Sequence, residues 1–287
     1  MPLTPHAGAA DCHRVRRVTA TAALAEPFAL AAADIAAFRR NGFVQIAGAL
    51  PPDLLAAMVP DVVAAVAARV AAVPPLAERD TYGRAFLQTF NIWRTDAVAR
   101  ALVTSRRLAG IAAALLGVAS VRLYHDQALD KEPGGGPTPW HADQFYWPLD
   151  NDRTVTAWIP LQPVDAAMGP LAFAPGSQRL ATGRDLAIGD ASEAVIGAAL
   201  ADGGFGLHER PFALGDVSFH GGWTFHRAGP NATDRPRRVM TVIYMDAATR
   251  LRAPANANEA FDAATWCPGV APGEVIATPI NPVLFAG

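Results

Sequence analysis

Along residues 29–41 the apolar positions Ile35 and Phe38 fall on one face of a helix, and Asn41-Gly42 supplies a left-handed stop. The period then changes to two over Phe43-Val44-Gln45-Ile46, the pattern of a short strand. Pro51 and Pro52 suit a helix start, and Leu54 to Val73 has helical composition. Pro60 is expected to kink or split that helix, and Pro74-Pro75 to end it. Leu87 to Trp93 reads as a strand, and a helix around Arg106–Leu116 stops at Gly117.

From Val118 the texture changes to short β-like runs: Ser120–Gln127, Thr138–Tyr146, Thr154–Leu161, Leu171–Ala174, Val217–His220, Trp223–Arg227 and Arg238–Tyr244. Turn-formers such as Gly134-Gly135-Gly136-Pro137 and Gly229-Pro230-Asn231 separate them. A helix near Ser192–Ala201 lies in a long insert. Many short strands after a run of helices predict a mainly β protein, an antiparallel double-sheet jelly roll braced by N-terminal helices. Strands joined by turns at each end make a barrel with one open mouth, a natural ligand cavity. The expected organisation is an arm over 1–28 and one domain over 29–287. Within that domain the jelly-roll core spans about 118–250, and a proline- and alanine-rich coil over 251–287 wraps it.

The 287 residues are 51% apolar and carry a formal charge of −2, which suits a soluble enzyme with a sizeable core and argues against disorder or a nucleic-acid partner. Cys12 and Cys267 are too far apart to suggest a disulfide framework or a zinc knuckle, and a reducing, cytoplasmic setting is expected. No apolar run approaches the roughly 20 residues of a membrane span. Val18–Ala25 after Arg14, Arg16 and Arg17 resembles a poor secretory leader. Thr19 and Thr21 dilute it, and Glu26-Pro27 close it early.

Candidate chemistry begins at Trp140-His141-Ala142-Asp143. On a strand, His141 and Asp143 project together, offering an imidazole and a carboxylate side by side. One more histidine would complete the 2-His-1-carboxylate set that holds non-haem Fe(II) with open positions. His220 and His226 compete for that place. They share the same parity, and Gly221-Gly222 invites a bulge, so alternation does not choose between them. His6 and His13 fall in the arm, His208 in the insert with solvent exposure expected, and His125 on a strand near the cavity as a satisfied core histidine.

The blocks WHADQFYWPLD, TAWIPLQPVDAAMGPLAFAPGSQ and GDVSFHGGWTFHRAGPNATDRPRR resemble the phytanoyl-CoA dioxygenase family of Fe(II)/2-oxoglutarate oxygenases, as do ADIAAFRRNGFVQIAGAL and ALDKEPGGG, together covering roughly residues 30–250. The resemblance implies a double-stranded β-helix, cupin-like core, with His141 and Asp143 as the first two iron ligands. The family's distal histidine is followed eleven residues on by the arginine that grips 2-oxoglutarate. Eleven from His226 is Arg237 and eleven from His220 is Asn231, so the resemblance selects His226 with Arg237 and leaves His220 as a structural strand residue.

It also places Gln127, Trp158 and Gln88 at cosubstrate positions. Where the family often has a serine, two residues after the distal histidine, this chain has Ala228, so Thr224 or Thr241 would have to supply that hydrogen bond. The implied reaction couples O2 to decarboxylation of 2-oxoglutarate, releasing succinate and CO2 and hydroxylating a small molecule. Halogenating relatives lack the carboxylate, so Asp143 points to hydroxylation. Trp147 and Phe145, flanking Tyr146, are candidate pocket walls, and Arg84 with Gln88 candidate contacts to a polar substrate. Asn231 reads as a turn residue, and Arg235 and Arg238 as surface arginines. The alternative is a cupin-fold protein that binds metal or ligand without turnover.

Overall fold

The computed structural model describes residues 22–70 and 73–287. Helix α1 (Ala32–Asn41) ends where Gly42 turns left-handed at φ 85° and returns its amide to the Phe38 carbonyl. Strand β1 (Phe43–Ile46) leads into α2 (Pro52–Val70). This helix runs through Pro60 rather than splitting. Pro60 and Ala56 are exposed, so water can take the carbonyl that the proline leaves unpaired. Two helices not foreseen follow, each with an aspartate cap: α3 (Thr81–Ala85) behind Asp80 and α4 (Ala97–Val103) behind Asp96. Strand β2 (Leu87–Phe90) lies between them, and α5 (Arg106–Leu116) closes at Gly117.

The remaining strands are β3 (Ser120–Lys131), β4 (Thr138–His141), β5 (Thr154–Pro160), β6 (Leu171–Phe173), β7 (His208–Glu209), β8 (Val217–Gly221), β9 (His226–Ala228), β10 (Arg237–Asp246) and β11 (Val283–Ala286). Helix α6 (Asp190–Asp202) lies in the insert before β7. A large antiparallel sheet has the order β1-β8-β5-β10-β3-β11, with β2 also on β3; a small one has the order β4-β9-β6-β7. They face each other as the two layers of a cupin-like jelly roll, but no ladder among the described residues closes them into a barrel.

Period two decides which side chains meet which layer. On β10, Met240, Val242 and Tyr244 join the core under the helices, with Ile111 and Leu108 of α5. Their neighbours Val239 and Ile243 turn inward between the sheets. The β3–β10 register slips between Ile243 and Tyr244, whose partners are His125 and Leu123. Tyr124 is therefore an extra, bulged residue, and it joins the inter-sheet side as His125 does.

The expected strand over Thr138–Tyr146 stops at His141 and tightens into a 3-10 turn over Asp143–Tyr146. That over Trp223–Arg227 is replaced by a turn and then β9. The C-terminal segment is not all coil. Asn256 caps α7 (Ala257–Trp266) by accepting from the Glu259 amide at 3.0 Å, and β11 pairs with the start of β3. Of the arm, residues 1–21 lie outside the described part, with His6, His13, Cys12 and most of the leader-like stretch. Leu24 is buried on the helical layer, where its carbonyl accepts from the Ser105 hydroxyl at 3.0 Å. Among the described residues no helix is long and apolar enough to cross a membrane.

Candidate metal centre and cosubstrate pocket

His141 is the last residue of β4. Ala142 stays extended (φ −126°, ψ 131°), so Asp143 emerges on the same side before the 3-10 turn begins. His226 opens β9 directly opposite His141, with ring centroids 4.1 Å apart. Asp143 Oδ1 lies 3.8 Å from His141 Nε2 and 3.6 Å from His226 Nε2, and the three donor atoms are all within 4.8 Å of one another.

Each ring is turned by its other nitrogen: His141 Nδ1 meets the Pro139 carbonyl at 2.7 Å and His226 Nδ1 the Thr224 carbonyl at 3.0 Å. A carbonyl only accepts, so Nδ1 carries the proton in both and each Nε2 keeps a lone pair facing Asp143. Burial pushes both imidazoles below their ordinary pKa, His226 well below, which keeps them neutral.

Asp143 is prepared in the same way. Thr156 donates to Oδ2 at 2.9 Å and His220 Nε2 meets it at 3.2 Å, leaving Oδ1 for the space between the imidazoles. Thr156 and His220 are direct partners across the β5–β8 ladder, so one sheet position supplies both contacts. Burial alone would raise the Asp143 carboxyl, but the His220 ring, hydrogen-bonded to Oδ2, opposes this and the carboxyl lies below the usual carboxylate range. Two neutral Nε2 donors and one carboxylate oxygen on one side of an open cavity suit an octahedral divalent iron.

Arg237 opens β10 and is buried between the sheets. Its Nη1 donates to the Gly169 carbonyl, its guanidinium sits 5.4 Å over the Trp158 ring, and its Nε has no partner among the described residues. Burial lowers its pKa to about 10, so it remains a cation at neutral pH. Thr241, four residues along the same face, also lines the cavity with an unpartnered hydroxyl. Thr224 donates to the Gly42 carbonyl at 2.8 Å and is not available, which leaves Thr241 of the two expected hydroxyls; like Ala228 it lines the cavity. The Tyr82 hydroxyl donates to Gln88 Oε1 and Gln88 Nε2 to Gln127 Oε1, each at 2.8 Å, which occupies the Gln127 oxygen of a side chain that lines the cavity. Lys131, opposite Arg237 in the ladder, is buried and donates to the carbonyls of Gly136 and Gly229, tying the β3–β4 turn to the turn after β9.

His141, Asp143, His226, Arg237, Gln127, Trp158, Gln88 and Trp147 all line one cavity of about 550 Å³. Phe145 does not. The 3-10 turn swings it away from Asp143, to a separate hollow with Arg184 and Trp223. Arg84 is exposed and absent from the cavity; its carbonyl accepts from the Gly136 amide at 2.8 Å. Asn231 is a turn residue, its amide donating to the carbonyls of Lys131, Glu132 and Arg235. Arg235 is exposed, whereas Arg238 pairs with Asp130 at 3.1 Å. His208 is half-buried against Phe43, at 4.9 Å between ring centroids.

Two further residues differ from their expected roles. His220 lies on its strand but also holds the carboxylate, and alternation on β8 could have shown this, since Val217 and Phe219 face the helical core. His125 is buried yet not satisfied: its Nδ1 has no partner among the described residues and it lines the cavity.

Residues 38–239 match the family model described as phytanoyl-CoA dioxygenase (PhyH). A curated relative, a probable alpha-ketoglutarate-dependent hypophosphite dioxygenase of Stutzerimonas stutzeri, is 29% identical over 149 residues, a match covering 50% of this chain and 51% of that protein. The chain thus aligns with about half the length of that relative. The carbocyclase SnoK from nogalamycin biosynthesis, described as non-haem and alpha-ketoglutarate-dependent, superposes with a TM-score of 0.72 at 25% identity over 90% of this chain and 99% of its own. The epimerase SnoN in complex with Fe3+, alpha-ketoglutarate and nogalamycin RO gives 0.71 at 28% identity over 88% and 97%. EctD from S. alaskensis, 20% identical over 83% and 85% with a TM-score of 0.64, shares the fold. With the family model spanning well over half of its length, the chain belongs to the phytanoyl-CoA dioxygenase family.

Proposed function

We propose that the chain is a non-haem Fe(II)/2-oxoglutarate-dependent oxygenase of a small molecule, with His141, Asp143 and His226 as iron ligands and Arg237 as the clamp on the far carboxylate of 2-oxoglutarate. The observation that carries this is the pairing, in one cavity, of three pre-turned donor atoms with a buried guanidinium whose Nε is unspent. A protein that only stored metal would bury that cation for nothing, since an unpaired buried charge costs several kcal/mol. The match to an alpha-ketoglutarate-dependent relative and the iron and alpha-ketoglutarate in SnoN support the same reading.

Bound iron and 2-oxoglutarate supply the activation of O2, with succinate and CO2 released. The chain's own residues do the rest. His141 Nε2, His226 Nε2 and Asp143 Oδ1 would hold the iron. Thr156 and His220 fix the rotamer of Asp143, so the carboxylate does not turn away. Arg237 and Thr241 receive the distal carboxylate, a planar fork and a hydroxyl replacing the water that the diacid loses. The Gln127 amide, held by Gln88 and Tyr82, donates toward the same cosubstrate, and Trp158 covers its side. Leu129 and Leu171 keep that end dry.

Asp143 fills the position that halogenating relatives leave free, so hydroxylation is the proposed outcome, although relatives include an epimerase and a carbocyclase. With Fe(II) and ascorbate, purified protein should convert 2-oxoglutarate slowly to succinate even without substrate. His141→Ala and Asp143→Ala should abolish this, and retained turnover in either would move the site elsewhere. With a substrate in hand, gain of one oxygen atom in the product identifies hydroxylation.

A further inference from the structure

The cavity runs along the β3–β10 ladder and has two chemically different ends. Arg237 pairs with Lys131 at one end and Ile243 with His125 at the other, six residues apart, a span of about 20 Å. The Arg237 end is the one assigned above to the cosubstrate. The far end is built by the bulge at Tyr124, which turns that residue and His125 together toward the inter-sheet space, and by α7, which covers it. There the lining is aromatic, with Phe90, Tyr146, Trp147 and Trp266, and Tyr82 and Phe261 stand at its rim, 37% and 62% exposed.

One ionisable group of α7 faces this aromatic end. Asp262 is 7% exposed, and the hydrogen bond it receives from the Tyr124 hydroxyl is long, at 3.3 Å. Among the described residues, the groups that face it are Tyr124 from β3, Glu259 and Trp266 from its own helix, Cys267 just beyond it, and Tyr82 and Tyr146 across the cavity; none is a cation. Burial accordingly pushes its carboxyl up to about 7. Arg237, at the opposite end, is the single arginine or lysine among the described residues that line the cavity. His125 brings no compensating charge, because burial lowers it to about 4, and its Nδ1 is buried without a partner.

A carboxyl group, an imidazole nitrogen without a partner and several ring faces, with no cation among them, complement a protonated amine on an apolar skeleton. An anionic group placed there would meet the Asp262 carboxylate and the negative faces of the rings. We infer that the Tyr124–Asp262 end of the cavity is the substrate subsite, and that it takes a basic-nitrogen compound with a flat, largely apolar body, Asp262 being the counter-charge. The inference rests on the proposed oxygenase reading for which end of the cavity holds the cosubstrate. A cavity of about 550 Å³ has room for a ring system as well as the diacid. It also gives the exposed Phe261 a use, as a face on which the body of such a compound rests.

The test is calorimetric titration of anaerobic, Fe(II)- and 2-oxoglutarate-loaded protein with two matched pairs. Tryptamine is compared with indole-3-propionate, and 9-(aminomethyl)anthracene with 9-anthracenecarboxylate. The amine of each pair should bind at least tenfold more tightly than its acid partner. Asp262→Asn should erase that preference, while Phe261→Ala should weaken both members of a pair alike. Equal binding within the pairs, tighter binding of the acids, absence of binding by both amines, or a preference that survives Asp262→Asn overturns the inference. The wild-type comparison decides the matter even if Asp262→Asn does not fold. A parallel iron titration separates the two claims: failure to load iron sinks the oxygenase reading, whereas loaded protein without amine preference sinks this subsite alone.

Discussion

Replacing Arg237 by Met separates function from stability in a way that the structure makes quantitative. The wild-type guanidinium is buried, with one bond to the Gly169 carbonyl and an Nε that has no partner. In the protein without cosubstrate, Arg237→Met leaves that carbonyl unpaired, at a cost of about 1–3 kcal/mol. It also relieves a poorly compensated buried cation, a gain of similar size. The two nearly cancel, so unfolding free energy in the absence of 2-oxoglutarate should change by no more than about 1 kcal/mol. Binding of 2-oxoglutarate has no such compensation, because its distal carboxylate would be desolvated without a cationic partner. Losing one side of a buried, hydrogen-bonded charge pair costs about 3 kcal/mol or more, at least about a hundredfold in Kd.

Denaturant unfolding without ligand and anaerobic calorimetry of 2-oxoglutarate on Fe(II)-loaded protein measure the two quantities. Arg237→Lys should recover little of the loss, since a point charge does not reproduce the planar fork. A variant that binds 2-oxoglutarate within threefold of wild type would refute the assignment of this arginine. A loss of several kcal/mol in stability without ligand would refute the view that it is held in reserve for a ligand.

Other sites give independent checks. His220→Ala should still bind iron but about tenfold to a hundredfold more weakly, because Asp143 loses one of the two donors that set its rotamer; isothermal titration with Fe(II) measures this. Gly169 has φ 67°, and an added Cβ would lie 2.2 Å from the Gly229 carbonyl oxygen. Gly169→Ala should therefore lower stability by at least about 1–3 kcal/mol and weaken 2-oxoglutarate binding with it, through the carbonyl that holds Arg237, as melting curves and titration would show.

Asp126 is fully buried, accepts from the Ile92 amide at 3.2 Å, and has its carboxyl pushed up to about 7 by burial. The folded state therefore holds this proton more tightly than the unfolded chain, and stability from this group falls as pH rises from about 4 to about 7. Asp126→Asn keeps the acceptor without the charge, so it should stabilise the protein by about 2–4 kcal/mol at pH 8 and by little near pH 4. Denaturant titrations at the two pH values decide this; an equal effect at both contradicts the buried-acid account.

Much of the helical layer and most strands were legible because period and punctuation agreed: Gly42 and Gly117 each mark a boundary that the structure keeps, and the run Arg238–Tyr244 lies within β10. The strand before Asp143 was read too long because an apolar aromatic run, Phe145 to Trp147, imitates a strand where a 3-10 turn forms. The same turn explains why Phe145 points away from the cavity while Trp147 lines it.

Near the site, a histidine pair of equal parity could not be resolved by alternation, and both members converge on Asp143, one on each of its oxygens. His220 was assigned a structural part alone, because the spacing argument that selected His226 says nothing about what its competitor touches. The far end of the cavity was not legible. It is made by a bulge at Tyr124 and by α7, whose signal, Asn256 capping the Glu259 amide, is short and lost among alanines and prolines. Tyr82 was hidden for a similar reason, standing on a one-turn helix recognisable chiefly by its Asp80 cap.

The account is tested most directly by a crystal structure of the protein loaded anaerobically with Fe(II) and 2-oxoglutarate, phased on the iron signal. It predicts one iron bound by His141 Nε2, His226 Nε2 and Asp143 Oδ1, with His220 still on Oδ2 and the distal carboxylate of the diacid on Arg237 and Thr241. Iron bound elsewhere, His220 in place of either histidine, or the diacid turned away from Arg237 would contradict it.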